Sequence, residues 1–300
     1  MCKNSPLGLL VIAYSCTLCI TTLLTPLIFN LVVYWNQCAP CFLTNYLHHK
    51  GLAIFFERIR LLTFLLFTPY LWKIYRRQVP EKSFYSFDFK IFGQFFATGC
   101  FVVGVILGIK MLALDFVWTY PRHFQGLENL LPLKFLLCAL ALSLIEEWLF
   151  RGLIFKIFLK HMHPFLAIIF SSFVFTYFHF RSNYAINLNH EFATLSDGFR
   201  CLYEVVCHAF VNVVYLKFLI IFVFGCLLAA IYCYIPTLLS CVGLHTGVVF
   251  TLMMSREYLL FPITHPWLGS DHFLDSPLAL LFMIVLIVLL HLRYSRLLRL

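Results

Sequence analysis

The chain has 300 residues, of which 62% are hydrophobic and only 12% charged, and its formal charge is +9. A water-soluble domain is about half apolar and about a quarter charged, so this composition excludes a soluble globular protein. In a soluble chain such a charge would suggest nucleic acid. Here the basic residues flank apolar blocks, where they set topology, and no RNA- or DNA-reading motif is present.

The apolar residues fall in runs such as Leu278 to Leu290, too long for the alternating strands of a closed barrel. The expected fold is all-α: a polytopic transmembrane helical bundle, a single membrane domain over residues 1–300, with about eight spans of about 20 residues each. In chain order these lie near 7–34, 53–74, 90–117, 133–160, 165–181, 205–234, 236–256 and 277–293. The first, from about Leu7 to Trp35, exceeds the 7–15 residues of a secretory h-region, so it reads as the first helix rather than a cleaved signal. The sixth begins as an amphipathic or interfacial stretch. The 12 cysteines are scattered, mostly within apolar spans, and Cys38–Cys41 is a lone CxxC with no second pair at zinc-site spacing.

Charge orients the bundle. Lys73, Arg76, Arg77 and Lys82 follow the second span, Lys156, Lys160, His161 and His163 surround the turn after the fourth, and Arg293, Arg296 and Arg299 follow the last. Each cluster comes after an even number of crossings. The loop with Glu257, Asp271 and Asp275 follows an odd number. Both termini are therefore expected in the cytosol, in a bacterial inner membrane or the endoplasmic reticulum.

Charges inside a span are costly and mark functional candidates. Glu146, Glu147 and Arg151 sit in the middle of an apolar run bounded by Pro132 and Pro164. Glu147 and Arg151, four apart, share a helix face and can pair. Glu146 points about 100° away and has no partner in its own helix, which frees it to take a proton from water. With a hairpin turn near residue 162, Glu146 and His179 lie about 25 Å along antiparallel helices and can meet across the pair. His245 stands about 14 Å into its span between Gly243 and Gly247, small residues that admit a neighbouring helix. The bland alternative is a buried bracing pair, with each histidine satisfied by a carbonyl. Glu57, Arg58 and Arg60 read as a helix end, Lys90, Lys110 and Asp115 as span borders, and Glu204, His208 and Asn212 as a stripe facing the bundle or interface. Other proteolytic devices are missing: His190-Glu191 meets Thr194 where HExxH needs histidine, and there is no GxSxG elbow or paired-aspartate arrangement. A glutamate that activates water, helped by histidines, remains.

Glu146-Glu147-x-x-x-Arg151, then Phe175-x-x-x-His179, then His245 in a helix of small residues resemble the CPBP family, also called Abi or CAAX amino-terminal proteases. The stretch Phe222 to Tyr232 is also typical. The resemblance covers about residues 130–255, a CPBP-like catalytic core. It implies an intramembrane endopeptidase related to the Ras-converting type II CAAX prenyl endopeptidases. Glu146 would be the general base, His179 its companion and His245 the oxyanion stabiliser, with Glu147, Arg151 and Phe175 supporting. It implies a peptide or prenylated, membrane-embedded protein as substrate; in the CAAX enzymes a prenylated cysteine is followed by three residues that are removed. Two histidines and a glutamate can in principle ligate zinc, but water activation without metal or other cofactor is the preferred reading. Two positions depart from the pattern. Val249 stands where the family has Asn or Asp four residues after the last histidine, and Phe180-Arg181-Ser182 replaces the histidine-rich continuation of the eukaryotic enzymes. Asn212 or Thr246 is a candidate for the missing donor. The rival is a catalytically silent scaffold or a transporter-like relative that uses the same buried charges structurally.

Overall fold

The computed structural model describes residues 6–39, 51–78, 88–119, 130–179, 192–207, 215–269 and 276–294. In chain order the helices begin with α1 (Pro6–Cys38), α2 (Gly51–Gln78) and α3 (Phe89–Ala113). Next come α4 (Leu131–Glu147), a π-helical segment (Trp148–Phe155) and α5 (Lys156–His161), which run on without a break. Then follow α6 (Pro164–His179), α7 (Leu195–Cys207), α8 (Tyr215–Tyr234), α9 (Leu238–Tyr258) and α10 (Pro277–Tyr294). Strands β1 (Val117–Trp118) and β2 (Leu259–Leu260) form one short antiparallel ladder with Val117 opposite Leu260. The protein is all-α, as expected.

The expectation of about eight spans is not supported. Among the described residues four helices are long and apolar enough to cross a membrane, at Gly8–Cys38, Phe89–Ala113, Tyr215–Tyr234 and Leu238–Tyr258. The physical reasons differ from helix to helix. α2 is charged along its length, with Glu57, Arg58, Arg60 and Lys73 among its residues. The stretch from α4 to α5 is interrupted by Glu146, Glu147 and Arg151. α6 is apolar but has only 16 residues, and the apolar stretch of α10, Pro277–Arg293, is likewise too short. The region expected as one span from 205 splits: α7 is a separate amphipathic helix of 13 residues, only about 20 Å long.

The described residues form two compact units. The first contains α1, α2 and α7, with a core of Phe29, Val33, Phe56, Cys201 and Val205. Pro26 lies inside α1, and because proline lacks an N–H the Thr22 carbonyl loses its helical donor. α7 approaches there so closely that a Cβ on Gly198 would strike the Thr22 carbonyl oxygen. The start of α7 is fixed by Asp197, whose Oδ2 accepts from the Thr194 N–H at 2.8 Å and its hydroxyl at 2.7 Å.

The second unit holds the remaining elements, with α9 packed against α3, α4 and α8. Glycines set the closest of these contacts. A Cβ on Gly243 would lie 2.5 Å from the Phe92 carbonyl oxygen, and one on Gly247 would strike that of Phe96. Gly99 of α3 reciprocates, 2.5 Å from the Leu244 carbonyl oxygen. Small residues thus let two backbones touch, and they bracket His245. α8 and α9 are an antiparallel hairpin joined by three residues: the Phe224 and His245 rings are 5.3 Å apart, and Cys241 Sγ lies 3.2 Å from the Leu228 carbonyl oxygen.

Gly247→Val is expected to cost about 1–3 kcal/mol by forcing α3 and α9 apart, seen as a lower Tm of the detergent-solubilised protein. Gly104→Ala is the control, because a Cβ there meets nothing within 4 Å and alanine is the better helix former by about 1 kcal/mol. Equal melting of the two variants would show that this contact does not hold the unit together.

Candidate active site

α4 delivers two adjacent carboxylates to the start of the π-helical segment, and their surroundings differ sharply. Glu147 is fully buried, with Arg151 and His245 nearly so: side-chain exposures are 0%, 2% and 4%. Arg151 Nη1 donates to Glu147 Oε1 at 3.2 Å, and its Nη2 donates to the Gly225 carbonyl of α8 at 3.0 Å. The guanidinium also lies 4.4 Å from the centre of the Phe175 ring, a cation–π contact. His245 Nδ1 is 2.7 Å from the same Glu147 oxygen. A carboxylate that accepts from a guanidinium has no proton to give, so Nδ1 of His245 is the donor; the tautomer follows from the hydrogen-bond network.

Glu146 turns to the more open side. Its Oε2 is 3.0 Å from His179 Nε2, with side-chain exposures of 16% and 27%. His179 Nδ1 lies 2.8 Å from the Phe175 carbonyl oxygen, which can only accept, so Nδ1 carries a hydrogen. A hydrogen bond between Nε2 and Glu146 then needs one further proton, on the imidazole or on the carboxyl. In either form the pair has no net charge. His245 Nε2 is 3.6 Å from the same Glu146 oxygen, near it but beyond hydrogen-bonding distance.

The two histidines border a cavity of about 280 Å³ whose lining also includes Phe175, Val249, Lys217 and Arg256, while Glu146 stands behind His179 rather than on the wall. Val249 therefore faces the place where the family pattern has a polar side chain. Thr246 is buried and its hydroxyl has no partner among the described residues, but it does not line the cavity. Asn212, the other candidate donor, lies outside the described residues, as do His208, Arg181 and Cys41. Glu57 pairs with Arg60 within α2, and Lys110 is buried with its ammonium 5.4 Å from the Phe261 ring centre. Among the described residues no group of three or more His, Cys, Asp or Glu side chains is disposed to hold a metal ion.

All six residues singled out in the sequence thus meet in one unit: Glu146 with His179, Glu147 with Arg151 and His245, and Phe175 against Arg151. The sequence reading missed three features. One is the Gly225 carbonyl as a ligand of Arg151; the nearest signal is the glycine itself, where a Cβ would press to 3.1 Å from Ser172 Cβ and 3.2 Å from Phe175 Cδ1. The second is the π-helical segment. The third is the pair of cations, Lys217 and Arg256, on the cavity wall.

Four helices among the described residues that are long and apolar enough to cross a membrane support an integral membrane protein. Residues 128–251 match the family model described as type II CAAX prenyl endopeptidase Rce1-like, which places this part of the chain in the CAAX/CPBP family. No curated protein and no solved structure matches the chain.

Arg151→Met is expected to destabilise the protein by about 3–5 kcal/mol, because it strands a buried carboxylate. The double variant Glu147→Gln/Arg151→Met should recover a substantial part of that loss. Unfolding of single and double variants in a mutant cycle reads the coupling, and simple additivity would show that the pair is not the bracing element.

Proposed function

We propose that the chain is an intramembrane endopeptidase of the CAAX type, with residues 130–255 as its catalytic core. The observation that supports it best is the 3.0 Å contact between Glu146 and His179, a histidine that lines a cavity. In its ion-pair form the dyad holds a base and an acid side by side. The Glu146 carboxylate takes a proton from water, and the resulting hydroxide attacks the scissile carbonyl. The His179 imidazolium then protonates the leaving amine, and Glu146 returns its proton to the imidazole. His245 completes the site. With Nδ1–H directed to Glu147, its Nε2 donates to an oxyanion only as imidazolium, with the Glu147 carboxylate facing its other nitrogen. The chain's own groups suffice for these steps, so no cofactor is invoked.

The substrate class follows from the family: a prenylated cysteine near a C-terminus, presented from the bilayer, with no role for nucleic acid. In lipid nanodiscs, a dansylated peptide carrying farnesylcysteine and three further residues should be cut by the wild type. Glu146→Gln, folded normally by size exclusion, should lose about 10²–10⁴-fold in kcat. Equal cleavage by both proteins would remove Glu146 from its role.

Val249 supports a second reading, a silent relative that keeps the buried charges for structure. Restoring a donor with Val249→Asn discriminates the two. If the wild type is active and the oxyanion lacks a donor there, kcat should rise, since one such donor contributes about 10²–10³-fold at most. If the wild type cuts no prenylated peptide and the variant does, the silent reading holds for the natural chain.

A further inference from the structure

The cavity beside His245 has an electrostatic asymmetry that the cleavage chemistry does not use. Arg151 is neutralised by Glu147, and the Glu146–His179 pair carries no net charge. Lys217 and Arg256 also line this cavity, yet within the described residues neither has an ion pair or hydrogen bond through its side chain. Glu257 follows Arg256 directly, and successive residues point about 100° apart on a helix, so it does not face the same way.

The register of the α8–α9 hairpin locates the two cations. Phe224 lies against His245 and Leu228 against Cys241. Continuing that antiparallel register sets Lys217 opposite Leu252, which lines the same cavity. Lys217 is then about 10 Å along the axis from the level of His245, and Arg256 about 16 Å, in the same direction. An extended peptide advances about 3.3 Å per residue. A chain whose scissile bond sits beside His245 therefore reaches the cations after about three to five residues. Between them the walls are apolar: Ile221, Val248 and Leu252 line the path. Such a channel accepts a short apolar tail that ends in an anion.

We propose that Lys217 and Arg256 form an anion subsite that receives the free C-terminal carboxylate of a peptide held along the α8–α9 hairpin. The subsite rests on the peptidase reading above, and it would fix how far from the chain end the bond at His245 lies. Both groups are partly open to solvent, so each interaction is weakened by screening. Two cations on one carboxylate still amount to about tenfold in affinity.

The test is binding, which separates this subsite from catalysis. The full chain carrying Glu146→Gln, in nanodiscs, is titrated with the dansylated farnesylcysteine peptide as free acid and as C-terminal amide. The free acid should bind about tenfold more tightly. Lys217→Met/Arg256→Met should lower its affinity to that of the amide, while Lys217→Arg/Arg256→Lys, which keeps both charges, should retain the preference and show that the fold survives. Equal affinity for the two peptides, no binding of either, or a preference that survives the double Met variant would each overturn the proposal. So would a double Met variant that loses co-purified phosphatidylglycerol yet discriminates the peptides as before, because the cations would then hold a lipid phosphate. Preferential binding of the free acid by a wild type that cuts nothing would leave the subsite standing and sink the peptidase reading.

Discussion

The second unit depends on one buried oxygen. Glu147 Oε1 accepts from Arg151 and from His245, at 3.2 and 2.7 Å, in a place without solvent. Isolated, that carboxylate would be prohibitively costly, and so would the guanidinium. The shared contact ties three pieces of chain: the π-helical segment through Arg151, α8 through the Gly225 carbonyl, and α9 through His245. It also fixes the tautomer of His245, and with it what Nε2 can do at the cavity wall.

Adjacent positions on one helix have been given opposite environments. A turn of about 100° per residue is enough to seal Glu147 among Arg151 and His245 and to set Glu146 at 16% exposure beside His179. The same chemical group is sealed in an ion pair in one place and left partly open beside a histidine in the other. Phe175 links the layers: its ring lies under Arg151 while its carbonyl holds His179 Nδ1. An error in the sealed layer is therefore felt in the open one.

What was legible in the sequence was what short-range geometry determines. Glu147 and Arg151 pair because they are four apart on one helix. Glu146 and His179 meet because a tight turn between His161 and Pro164 makes their depths equal. The contact of His245 with Glu147 was not legible, since it joins helices far apart in sequence. Its register is set by Gly99, Gly243 and Gly247 bringing α3 against α9, a property of three-dimensional packing. Gly225 escaped because a backbone carbonyl has no side-chain signature. The span count failed for a different reason. Mean apolarity locates helices well, but α2, the α4–α5 stretch, α6 and α10 are too charged or too short to meet the length and apolarity of a crossing.

Charge balance constrains what the cavity can recognise. Arg151 carries a positive charge beside the carboxylates, and Glu147 cancels it; Glu146 and His179 cancel each other. A peptide carboxylate brought next to Glu146 would meet no net attraction and a negatively polarised neighbour. In the proposed mechanism, such a group next to Glu146 would also block the attacking water. An anion-recognising element in this cavity has to stand away from the dyad, beyond a stretch of apolar wall. Lys217 and Arg256 stand there because the α8–α9 hairpin carries both the histidine level and the cationic level on one rigid pair of helices. The separation between the histidine level and the cationic level is then a helix length, set by sequence spacing rather than by a flexible loop.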